Sequence, residues 1–358
     1  MNTIKACLFL PPRQKMIPLS ETIFILDEFR LLALNPEQHA ALLSLGASVP
    51  GACLVAAQSS QPDDHGSVCQ MQLIDEFCTR LGLACERRRE DQTCIVILAA
   101  SDDAKAMTVA SMLLGSFLIL RRGLPVRAVF KAFQDAGLSD RFAPLSASED
   151  EHIVAVHDCW RALGHAMRLG WLVPPSSDDE PVLDVDELVH YARPANGGVH
   201  IVVPGALLLF PTPCDSVPDG TEWADSVSAD GSTVRHFSAR YYASLLADLG
   251  VSAAACLGRT SAASARALAA RGVDSADLPA PRAPGPGALL PALDRLLTLA
   301  RGAPGGVAVH CDSIRSWPVS RLGVMAAALL ISRFGFSGAE AAAWVHLVAV
   351  QASHPSSE

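Results

Sequence analysis

VAVHCDSIRSWPVSRLGVMAAALLISRFGF, residues 307–336, is the stretch whose reading decides the fold. It opens on small and β-branched residues ending at His310-Cys311, crosses a polar segment, and enters near Arg321-Leu322-Gly323 an apolar run long enough for a buried helix. Strand, loop and helix in that order are the unit of an α/β fold. A thiol at a strand end, with a helix N-terminus aimed at it, stabilises a thiolate and cradles an anion. A cysteine in an apolar strand is also read as a small packed hydrophobe.

Upstream, the same alternation recurs. HIVV (200–203), SAAACL (252–257) and AVH (308–310) read as strands, with helical runs at Tyr241–Leu249, Ser261–Arg271, Leu289–Arg301 and Val324–Phe334. LPAPRAPGPG (278–287) reads as an exposed loop, because proline lacks the N–H that helix and central strand both use. Nearer the start, Leu73, Ile74, Phe77, Cys78 and Leu81 fall at helical spacing, CIVILAA (94–100) is a buried strand, and Met107–Leu120 is a core helix stopped by Gly123 and Pro125. Residues 151–172 form an apolar-periodic helix through Ile153, Val156, Trp160, Leu163 and Met167, and SSDDEPVLDVDE (176–187) is an acidic, solvated linker. The fold class is therefore α/β. Its expected division is an N-terminal domain over 1–150, a linker helix and acidic linker over 151–195, and a second domain over 196–358.

At 358 residues the chain exceeds one typical domain and fits two. Half of its residues are hydrophobic and 18% charged, which excludes a disordered chain. Against 37 Asp and Glu stand 28 Lys and Arg, a formal charge of −9. That balance points away from nucleic acid and anionic membranes and toward basic partners. Ten cysteines lie dispersed without C-x-x-C pairs, as in a reducing compartment. The N-terminal apolar stretch is broken by two prolines, and Met107–Leu120 is shorter than a membrane span, so the expectation is a cytoplasmic or nuclear protein. His152, His157 and His165 with Cys159 match no usual ligand spacing, and neither a metal nor a cofactor is expected.

DVDELVHYARPANGGVHIVVPGALLLF (184–210), the region around Leu257, VAVHC, Arg321-x-Gly323, and the helix carrying Ala339-Glu340 and Trp344 form a set of motifs. Together they resemble the cell-division-cycle-fourteen class of dual-specificity (tyrosine/serine) protein phosphatases. In the first half ASDDAKAMTVASMLLGSFLILRRGLPVRAVFKAF (100–133) and CWRALGHAMRLGWL (159–172) also fit. The resemblance implies two tandem phosphatase-like domains joined by a linker helix, with a nucleophile only in the second. It implies Cys311 as the nucleophile position, His310 before it, Arg321 as the phosphate-binding position, and phosphoprotein or basic phosphopeptide as partner. In that family a thiolate takes the phosphoryl group, backbone amides and an arginine hold its oxygens, and an aspartic acid protonates the leaving oxygen.

The chain departs from the family where the chemistry is done. Nine residues separate Cys311 from Arg321 where the family has five; none is glycine, Pro318 offers no donor, Ile314 and Val319 resist positive φ, and Asp312 adds a negative charge. Arg315 lies too early for the family register. Arg282 stands where alignment puts the acid, and a guanidinium cannot give up a proton at working pH. Asp274 and Asp277 are the remaining stand-ins, placed by alignment in the preceding strand. The family's segment that positions water is absent after Trp344. Three readings follow: a catalytically impaired homologue that binds phosphoprotein or protein partners, an active phosphatase with a remodelled loop, and a purely structural scaffold.

Overall fold

Apolar runs become strands and helices of an α/β chain, seen in a computed structural model that describes residues 7–10, 15–18, 23–26, 29–34, 48–49, 52–56, 67–91, 94–100, 104–145, 154–173, 183–218, 220–227, 231, 233–279, 286–311 and 321–352. Two compact units form: Met1–Asp63 with Met71–Pro181, and Asp64–Gln70 with Val182–Glu358.

In the first unit β1 (Cys7–Leu10) and β2 (Lys15–Pro18) make an antiparallel hairpin. A five-stranded sheet follows, built from β3 (Ile23–Leu26), β4 (Phe29–Leu34), β5 (Ser48–Val49), β6 (Ala52–Ala56) and β8 (Cys94–Ala100); β7 (Ser67–Cys69) belongs to the second unit. The sheet order is β3-β4-β8-β6-β5, with β4, β8 and β6 parallel and the edge strands antiparallel. Sequence reading named one of these five strands, 94–100. Helices α1 (Gln70–Asp91), α2 (Ala104–Leu120), α3 (Val126–Asp135) and α4 (Val156–Arg168) accompany the sheet. The buried stripe of α1 is Met71, Ile74, Phe77, Cys78 and Leu81, while Leu73 is only half-buried.

The helix expected within 151–172 is α4, whose Val156, Trp160 and Leu163 are buried. It packs on α2 inside the first unit, where the Trp160 indole N–H donates to the Met112 carbonyl at 3.1 Å. The acidic stretch also differs from a solvated linker at its end. Asp184 caps α5 (Val185–Ala192) by accepting the Glu187 amide at 3.0 Å, so Asp186 and Glu187 sit in a first helical turn, where negative charge is favoured.

The second unit holds β9 (His200–Val203), β10 (Leu207–Pro211), β11 (Trp223–Val227), β12 (Thr233–Phe237), β13 (Val251–Leu257), β14 (Asp274–Leu278), β15 (Gly306–Cys311) and β16 (Val350–Ala352). Its helices are α6 (Ala239–Asp248), α7 (Ala262–Ala269), α8 (Leu290–Gly302), α9 (Arg321–Phe334) and α10 (Gly338–Val348). The sheet order is β14-β13-β15-β10-β9, the first four strands parallel and β9 antiparallel. Strands covered on both faces need apolar residues at successive positions, hence the near-continuous burial of β9, β10, β13 and β15. Val203-Pro204-Gly205-Ala206 turns β9 into β10: Ala206 N–H donates to the Val203 carbonyl at 3.0 Å and Gly205 takes φ 64°.

Right-handed crossovers place the helix of β13-α7-β14, which steps outward, and that of β14-α8-β15, which steps back, on opposite faces. α6 packs with α7, while α8 packs with α9 and α9 with α10. The Ala339-Glu340 and Trp344 positions acquire physical roles. Glu340 closes a capping box with Ser337, and the Trp344 indole N–H donates to the Val202 carbonyl at 2.8 Å, docking α10 on β9. In the stretch expected to be a loop, Leu278 closes β14, Pro286–Leu289 form a 3-10 turn, and 280–285 lie outside the described residues. Among the described residues no helix is long and apolar enough to cross a membrane.

Candidate active site

β15 is the middle strand of its sheet, so whatever stands at its C-terminal end meets the ends of β13 on one side and β10 on the other. In open α/β sheets this edge is where ligands bind. His310 and Cys311 are the last residues of β15, paired in register with Cys256 and Pro211 respectively. Successive side chains of a strand point to opposite faces. The buried His310 ring faces α6: it lies 4.8 Å from the Phe210 ring, itself 5.1 Å from that of Tyr242. Cys311 therefore faces the side of α8 and α9, and it is partly exposed.

The direction of α9 follows from one contact. Arg333, near its C-terminal end, donates to the Ala300 carbonyl at 2.7 Å, and Ala300 lies near the end of α8, just before the chain enters β15 at Gly306. α9 thus runs antiparallel to β15, against which it packs. Its fourteen residues span about 20 Å at about 1.5 Å each. That length carries the first turn, with exposed Arg321, back to the edge where Cys311 stands. His310, Cys311 and Arg321 are brought to one end of the sheet. Arg282 and residues 312–320, including Asp312, Arg315 and Pro318, lie outside the described residues.

Several side chains that sequence reading did not single out share this edge. Thr212, just past β10, places its hydroxyl oxygen 3.1 Å from His310 Nδ1 across 98 residues of chain. Beyond it, Cys214 Sγ lies 3.0 Å from Ser216 Oγ, and Asp215 accepts a hydrogen bond from the Ser261 hydroxyl at 2.9 Å. No local pattern marks these residues, because β10 and β15 become neighbours only when the sheet forms. Their signal in the sequence is limited to polar residues closing an apolar run.

The two stand-in carboxylates both lie on β14. Asp277 accepts the Thr260 amide at 2.8 Å, and that bond, with Arg259 and Arg295 nearby, holds its carboxyl below the usual carboxylate range. A carboxylate kept ionised is a poor proton donor to a leaving oxygen. Among the described cysteines, 78, 85, 159 and 256 are buried, whereas Cys214 and Cys311 are not. Burial pushes the Cys78 thiol up to about 12 and raises Cys159 further. Among the described residues no three His, Cys, Asp or Glu side chains are grouped to hold a metal ion.

No protein-family model matches the chain, and no curated protein is significantly similar to it.

Proposed function

We propose that the second unit is a cysteine-phosphatase-type domain, catalytically impaired, that binds phosphorylated segments of protein partners at the strand ends around Cys311. The observation that carries this reading is the position of Cys311: end of the central parallel strand, partly exposed, with the N-terminal turn of an antiparallel helix bearing Arg321 at the same edge. A helix N-terminus and a guanidinium at that edge suit a phosphate dianion.

The first unit is, on this reading, a copy without a nucleophile. In both sheets the last parallel strand in sequence is inserted between two earlier ones, β8 between β4 and β6, β15 between β10 and β13. In both an antiparallel strand flanks the first of them. The last register pair of the central strand is Leu34 with Ala100 in one sheet and Pro211 with Cys311 in the other.

Transfer of a phosphoryl group to Cys311 breaks the P–O bond, and the departing oxygen needs a proton. Arg282 occupies the aligned acid position, and Asp277 is bonded as a carboxylate. Loss of a positioned acid costs about 10²–10⁴ in rate. The test is turnover of an aryl phosphate by the purified chain beside Cys311→Ser, with vanadate binding measured on both. The reading expects equal, background turnover and vanadate binding by the unmodified chain. Turnover abolished by Cys311→Ser establishes an active phosphatase instead; absence of vanadate and phosphopeptide binding leaves a scaffold.

A further inference from the structure

β11 and β12 form a hairpin outside the five-stranded sheet, and of its ten residues only Phe237 is buried. Two-stranded hairpins are marginal alone, yet this one is braced along its length. Arg235 grips Asp225 through two bonds of 2.8 and 3.0 Å, its guanidinium lies 5.2 Å from the Trp223 ring centre, and Ser226 Oγ meets His236 Nε2 at 2.8 Å. Trp223 remains 45% exposed and Val227 75% exposed. The hairpin is thus held ready while leaving Val227 and the outer part of Trp223, whose ring also packs on Phe237 at 6.5 Å, open to solvent.

The register tells which backbone groups point outward. Ser238 N–H donates to the Glu222 carbonyl at 2.8 Å, making 222 and 238 a hydrogen-bonded pair. Antiparallel ladders alternate, so 224 with 236 and 226 with 234 are bonded pairs, and 223/237, 225/235 and 227/233 turn their N–H and C=O groups to the outer edges. One outward group is already used in this way: the Phe237 carbonyl accepts the Cys214 amide at 2.9 Å. Among the described residues no third strand continues that edge.

We propose that the β11–β12 hairpin is a docking arm to which an extended, Lys- or Arg-bearing segment of a protein partner adds as a strand. Unpaired edge groups supply the backbone bonds. The charge of the occupant follows from the sequence: residues 212–234 contain Asp215, Asp219, Glu222, Asp225 and Asp230 and no Lys or Arg, and Arg235 neutralises only Asp225. Two-fold pairing with a second copy centred on 225 or 235 is disfavoured, because it sets Asp225 against Asp225 or Arg235 against Arg235, and the acidic excess of the arm favours a basic occupant over another copy of itself. The arm is rooted at Cys214, three residues past Pro211, the register partner of Cys311, so a docked segment runs beside the strand ends. Docking itself does not rest on the phosphatase reading; only its use in presenting a phosphorylated residue does.

The test uses the full chain and a fluorescein-labelled peptide of alternating lysine and valine, followed by fluorescence anisotropy. Companion peptides replace lysine by glutamate or carry N-methyl groups on the amides of one edge. The expected result is saturable binding, equal for Cys311→Ser, weakened about tenfold or more for both companion peptides and for Glu222→Lys. Hydrogen exchange of the outward amides, those of 223, 225 and 227 on one edge or of 233 and 235 on the other, should slow on binding. Absence of saturable binding, equal affinity for the N-methylated peptide, protection elsewhere, or self-association through this edge overturns the proposal. Because Cys311→Ser removes the thiol without touching the arm, failure here and failure of the phosphatase reading are separable.

Discussion

Cys311 differs from the other described cysteines of its unit and of the first by where it stands rather than by what surrounds it in sequence. Cys78 and Cys159 lie in helices and are sealed in the core, where burial keeps the thiol protonated. Cys311 is reachable from solvent. Reactivity needs more than access: convergent amides and a cation must favour the thiolate. The nine residues between Cys311 and Arg321 lack glycine, include Pro318 and begin with Asp312. Alkylation by iodoacetamide, read by mass spectrometry, should therefore label Cys214 and Cys311 before Cys78 and Cys159. Labelling of Cys78 or Cys159 as fast as Cys311 would contradict this order.

At the scale of elements, the two-tyrosine start of α6 explains how the chain enters the second sheet. The Tyr242 hydroxyl, buried, donates to the Gly197 carbonyl at 2.7 Å, and the Tyr241 hydroxyl, half-buried, to the Asn196 carbonyl at 2.8 Å. They hold the turn Asn196-Gly197-Gly198, whose glycines take φ of 110° and 62°, just before β9. A Cβ on Gly197 would also press on the Tyr241 ring at 3.0 Å. Tyr242→Phe leaves a carbonyl without its donor in a buried place and should cost about 1–2 kcal/mol. Tyr241→Phe, where water can replace the hydroxyl, should cost less. Urea unfolding of both variants checks the order, and equal costs would place the anchoring elsewhere.

At the scale of the molecule, each unit carries its own core and its own vulnerability. In the first, a Cβ at Gly115 would overlap the Trp160 indole, so that helix α2 accepts the ring only over a bare backbone. Gly115→Ala should cost about 1–3 kcal/mol through overpacking. Hydrogen exchange is the readout: protection should fall in α2 and α4 and persist in β13 and β15. In the second unit His200 on β9 is buried, and burial pushes its imidazole down to about 3. The unfolded chain takes up that proton near pH 6.5, so stability is full above it and is lost as pH falls toward 3. The slope reaches about 1.4 kcal/mol per pH unit. His200→Leu should flatten this acid dependence in urea titrations at pH 6 and pH 4; an unchanged slope would assign it to other groups.

Sequence alone determined the α/β class, the strands at 94–100, 200–203, 252–257 and 308–310, and the place of Cys311 at a strand end ahead of a helix. Each depends on burial of a local run, and local periodicity records burial directly. Local periodicity gave no strand at DSADL, where the family resemblance had placed Asp274 and Asp277 in one and where edge strand β14 forms with both carboxylates exposed; it also missed the exposed β11–β12 pair, whose strands resemble loops in composition. Only the tertiary structure decided that Thr212 meets His310, that α9 returns Arg321 to the edge of β15, and that Ser67–Cys69 pairs with Val350–Ala352 in a second small sheet. Those partners lie tens to hundreds of residues apart. Their choice is set by loop closure and by which faces remain to be covered, quantities that belong to the assembled sheet and not to any window of sequence.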